Sequence, residues 1–138
     1  MMNRRARAIL WLDGSAACVA GVVVLALHDA LARLHDFPPA LVLFVGAANL
    51  AYASYSGSLA VLASLGRTPT RRAIDILVVA NLAWVAVCAA ILAATSRSAS
   101  AFGLAHVGLE ALFVGSLAVA EYRKVRPFAR GPATNPAD

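Results

Sequence analysis

Four long apolar runs constrain this chain more than any other feature. A helix needs about 20 residues to cross the ~30 Å hydrocarbon layer of a bilayer. Stretches at roughly 8–30, 39–63, 73–95 and 101–122 reach that length. The chain has 138 residues, 61% of them hydrophobic and only 14% charged, so a soluble fold this small has too little interior to hide its apolar surface. Lipid removes the difficulty. Because backbone polar groups in lipid must be satisfied within the spanning element, the runs are expected to be helices.

The connections are short and well punctuated: "DFPPA", "LGRTPTRR" and "TSRSASA". Short connections place successive helices antiparallel, so the expected fold is all-α: an up-down-up-down bundle of four transmembrane helices. It forms one domain over residues 1–125, and the polar tail 126–138 is expected to be disordered. Of the twelve basic residues, Arg4, Arg5, Arg7, Arg67, Arg71, Arg72, Arg123, Lys124, Arg126 and Arg130 fall on one side of such a bundle. Only Arg33 and Arg97 fall on the other. The positive-inside rule makes the richer side cytoplasmic, with both termini inside. The arginine- and alanine-rich composition points to a bacterial chain, hence to the inner membrane. The first run is read as a retained span, since Asp13 interrupts the apolar core a signal peptide requires.

The net charge of +5 does not imply nucleic acid, because the basic residues sit in short clusters between apolar runs without stacking aromatics. No phosphate-binding loop, nucleophile elbow, metalloprotease motif or dinucleotide fingerprint occurs, and no cofactor is expected.

The polar residues inside the spans carry the functional question. At ~1.5 Å rise per residue, Asn49, Asn81 and Glu110 all fall near the midplane. Intramembrane polar groups turn inward and find partners. Helical spacing adds Tyr52 to the face of Asn49, Trp84 to that of Asn81, and His106 and Glu121 to that of Glu110. The expectation is one polar seam made of Glu110, His106, Asn49, Asn81, Tyr52 and Trp84. Asp13, Tyr55 and Ser56 are expected together at the inner mouth. Asp75 and Glu121 lie beside arginines at helix ends and read as interfacial ion pairs, Asp75 with Arg71 and Glu121 with Arg123 and Lys124.

"LHDALARLHDF" repeats His-Asp seven residues apart. His28, His35 and His106 are weak candidates for a metal site, since residues seven apart on a helix are ~10 Å apart, too far to share an ion. Cys18 and Cys88 read as small packing residues. Gly14, Ala17 and Gly21 on the first span, and Gly108 and Gly115 on the fourth, offer stripes for close helix packing or for a homo-oligomer. The pentapeptides "ANLAY" (48–52) and "ANLAW" (80–84) repeat one chemistry on two spans, a weak sign of duplication.

Three functions fit this pattern. The leading one is a binding or accessory module of the bilayer, holding a small hydrophobic or lipid-like ligand in its core or docking on a larger membrane complex. The second is a proton-coupled transporter or ion pathway using Glu110 with Asp13 and His106. The third is a lipid-modifying enzyme using Glu110 and His106 as an acid–base pair.

Overall fold

The computed structural model describes residues 2–130. Among them the chain is helical without a strand: α1 (Arg4–Ala26), α2 (His28–His35), α3 (Pro39–Ser64), α4 (Arg71–Thr95) and α5 (Ala101–Ala120). A π-helical turn (Glu121–Val125) and a 3-10 turn (Arg126–Phe128) come after α5. Four helical segments are long and apolar enough to cross a membrane, and this is a multi-pass membrane protein. Large apolar side chains face outward along the segments, among them Val19, Val79, Leu109 and Leu112. In water they would be a liability; in lipid they are the solvent-facing surface.

Local chemistry sets the helix starts. Asn3, Thr70 and Ser100 are extended residues whose side chains accept from Ala6, Ala73 and Gly103, satisfying the free N–H groups of a first turn. Pro39 opens α3 at a position where its missing N–H costs nothing. The first span is shorter than the sequence implies. It ends at Ala26 instead of 30, and His28–His35 form a separate helix packed on α3 and α5. Four of the eight residues of α2 are His, Asp or Arg, and His28 Nδ1 turns back to the Leu25 carbonyl (2.9 Å). A segment this polar belongs at an edge, not in hydrocarbon.

The helices pack in two pairs, α1 on α3 and α4 on α5. Rising numbers on α1 meet falling numbers on α3. Trp11 donates to Ser64 (2.9 Å), Asp13 meets Tyr52, and Gly21 touches Gly46 and Leu50. Backbones touch where the small residues are. A Cβ on Gly14 would stand 2.9 Å from the Gly57 nitrogen, so this contact requires glycine. The Gly108 and Gly115 stripe of α5 does not share the device: among the described residues a Cβ on Gly108 meets nothing within 4 Å, and one on Gly115 makes only ordinary contact with Val85.

Apolar packing is concentrated at the two ends of the bundle. Leu10, Leu59, Ile74, Leu77 and Val125 join all four spanning segments near the termini. Val24, Ala32 and Val42 form a second cluster, and Cys88, Ile91 and Val107 a third, near α2. Cys88 is a buried packing residue as expected, whereas Cys18 is exposed. The chain is also tied down further than the expected tail boundary at 126. Arg126 bonds the Asp75 carboxylate, and Arg130 exchanges backbone hydrogen bonds with Pro69 and Arg71 (both 2.9 Å). The rest of the expected tail, 131–138, lies outside the described residues.

Candidate functional site

Between the apolar ends lies a cavity of about 160 Å³. Every spanning segment contributes to it: Ala17 and Ala20 from α1, Ala48 from α3, Ala80 from α4, and Phe113 and Leu117 from α5. Its polar groups are Asp13, Asn49, Tyr52, Asn81, Trp84, His106 and Glu110. A single water occupies roughly 10–15 Å³ on such a measure, so there is room for several waters or a small molecule. No lysine or arginine lines it.

All six residues of the expected seam line this cavity, but they do not form one network. Glu110 accepts from Trp84 Nε1 (2.8 Å) and, at 3.5 Å, from Asn49 Nδ2. Asn49 also donates to the Val45 carbonyl one turn back. Asn81 is not with them. Its Nδ2 donates to Glu121 Oε2 (3.0 Å), and both side chains are buried.

Asn81 belongs to a second cluster, nearer the termini. There Asp13, 2% exposed, accepts from Tyr52 OH (2.7 Å). Ser56 lies beside Asp13 and is fully buried. Tyr55 does not join: its hydroxyl donates to the Ala73 carbonyl on α4 (3.0 Å). Glu121 departs most from expectation. It is 0% exposed and pairs with neither Arg123 nor Lys124, both of which are exposed. A π turn begins there: the Arg126 N–H reaches back five residues to the Glu121 carbonyl. Such wide turns recur at functional sites. Glu121 lies on the face of Glu110 by helical spacing, so the signal was present; the adjacent cations argued it outward. Asp75 is likewise held by Arg126 rather than Arg71 alone.

A third group sits at the α2 end. His106 Nδ1 and His35 Nε2 are 3.4 Å apart, with ring centroids at 5.0 Å. The helix break after Ala26 brings His35 inward, where it is 6% exposed and packs on Phe37. His28 is elsewhere, beside Asp29 (3.3 Å), so the three candidate metal ligands do not converge. Among the described residues no group of three His, Cys, Asp or Glu is placed to hold a metal ion. A smaller cavity of about 30 Å³ joins His35 to His106, Cys88, Trp84 and Glu110, linking this end to the main cavity through shared walls.

Burial lowers the proton affinity of His35 from its ordinary 6.5, and His106 adds in the same direction. The unfolded chain therefore binds this proton more tightly than the folded one. The associated stability is complete above about pH 6.5 and is lost as pH falls through the lowered folded value. The thermal midpoint in detergent is expected to drop between pH 7 and 5, and His35→Gln to reduce that slope. An unchanged slope would remove His35 as its source.

No protein family, curated protein or solved structure matches this chain. The function has to be read from the site itself.

Proposed function

We propose that this protein binds a small, largely apolar guest in the core of its bundle, either as an independent module or as part of a larger membrane complex. In this reading the helices alternate up and down across a bacterial inner membrane with both termini cytoplasmic, following the arginine distribution. The observation that carries the proposal is the cavity between the helix pairs, walled by alanines and aromatics and reached by two carboxyl groups. Ligand sites commonly combine apolar walls with a few placed polar groups. With Asp13 and Glu110 in the wall and no lysine or arginine, the site favours neutral or positively charged guests over anions.

The test uses three probes of one shape: benzylammonium, toluene and benzoate. Trp84 lines the cavity and reports binding by its fluorescence. The ammonium and the neutral probe are expected to bind, and benzoate not to. Filling the cavity with Ala48→Phe should weaken binding by about tenfold or more while the fold persists, a loss of ~1.4 kcal/mol. Equal binding of benzoate, or no effect of Ala48→Phe, would sink the proposal.

A second reading, proton-coupled transport, draws support from the order of the polar groups. His35 with His106, Glu110 with Trp84, and Asp13 with Tyr52 succeed one another around two cavities that share wall residues. The enzymatic reading has less support, because His106 bonds His35 and Glu110 bonds Trp84 and Asn49, which leaves no acid–base pair between Glu110 and His106.

A further inference from the structure

The cluster nearer the termini contains more acid than its surroundings account for. Asp13 and Glu121 are 2% and 0% exposed. Each stands among the other's neighbours, and the turn that carries Glu121 packs directly on α1. The other groups acting on them are Tyr52 and Ser56 from α3 and Asn81 from α4, none of them a base. Among the described residues the ion pairs are His28 with Asp29 and Arg126 with Asp75, both elsewhere.

The hydrogen bonds also leave one Glu121 oxygen unserved. Tyr52 donates to Asp13, and Asn81 donates to Glu121 Oε2. Among the described residues Glu121 Oε1 is buried with no donor, and the Ser56 hydroxyl beside Asp13 has no partner either. A buried acceptor left unpaired is costly. What faces Glu121 is another carboxyl group, which accepts as well. Two carboxylates so close in a buried site repel strongly, and one proton turns their contact into a short charge-assisted hydrogen bond.

We propose that Asp13 and Glu121 hold one proton between them, forming a proton-binding site behind the wall of the main cavity. Asp13 and Tyr52 line that cavity while Glu121 lies behind them. A proton therefore enters from cavity water onto the Asp13 carboxylate, making one O–H bond, and leaves by the same route. Asp13 is the exchanging member and Glu121 the buried one. This site does not depend on a guest binding in the cavity.

The test is infrared spectroscopy of the full chain in lipid. Wild-type protein at pH 7 is expected to show a protonated-carboxyl C=O band that shifts in D₂O. Glu121→Gln and Asp13→Asn should each abolish it, because the amide N–H of either replacement donates to the remaining carboxylate in place of the proton. Both replacements are close in shape, and each variant must elute as wild type does. A measurement without variants runs alongside: the band must be the same in sodium and in choline buffers. Absence of the band overturns the proposal. So does its survival in either variant, which would put the proton on one acid alone. A band that appears only when sodium is removed also overturns it, by making the cluster a metal-cation site.

Discussion

Gly14→Leu is expected to prevent the pairing of α1 with α3, and Gly14→Ala to cost about 1–3 kcal/mol, the range for overpacking a tight contact. The added Cβ stands 2.9 Å from the Gly57 nitrogen and 3.0 Å from its Cα, with Ser56 Oγ at 3.2 Å. Backbone atoms of a packed helix cannot step aside as a flexible side chain can. The helices would have to separate, and separation would also disturb the Asp13–Tyr52 hydrogen bond one residue away. Thermal unfolding in detergent measures the loss. Gly108→Ala is the control, since nothing lies within 4 Å of its Cβ and alanine is the better helix former. It is expected to leave stability unchanged or slightly raised. If Gly14→Ala behaved like Gly108→Ala, the close approach of α1 and α3 would be wrong.

Asn81→Leu is expected to cost about 2 kcal/mol, at the upper end of interhelical hydrogen bonds measured in membranes. The reason is what it leaves behind. Asn81 is the donor to Glu121 Oε2, and the other Glu121 oxygen already lacks one. Leucine would leave a fully buried carboxyl group with neither oxygen served by an amide. The second half of the prediction is a rescue. Adding Glu121→Met removes the orphaned acceptor and should restore most of the loss, because replacing both members of a buried polar pair by apolar groups is far less costly than breaking the pair. Thermal unfolding of the two single variants and the double variant gives the coupling directly. Additive losses would mean that Asn81 and Glu121 do not depend on each other.

These two changes also separate what the sequence makes legible from what it does not. Gly14 and Gly21 stand on a small-residue stripe visible in the sequence, and the stripe is where the backbones meet. Gly108 and Gly115 form a stripe of the same kind, yet little packs on Gly108. Spacing marks which residues share a face, but not which face a neighbour approaches.

The "ANLAY" and "ANLAW" repeats show the same limit at the site. By spacing they present Asn and an aromatic at one depth on two helices. The structure divides their four groups among three acids. Asn49 of the first and Trp84 of the second hold Glu110, Tyr52 holds Asp13, and Asn81 holds Glu121. The two motifs are alike in sequence and unlike in use, because their helices belong to different pairs.

By itself the sequence determined four helical segments of membrane-crossing length and their approximate limits. Those depend on lengths, hydropathy and helical period, which are properties of a segment and its solvent. Only the tertiary structure decided that Glu121 is a core residue, that His35 meets His106, and that the polar residues form separate clusters around one cavity. A helix break after Ala26 redirects His35, and packing of the turn after α5 against α1 and α4 encloses Glu121. Both depend on packing between helices, which no local pattern along the chain contains.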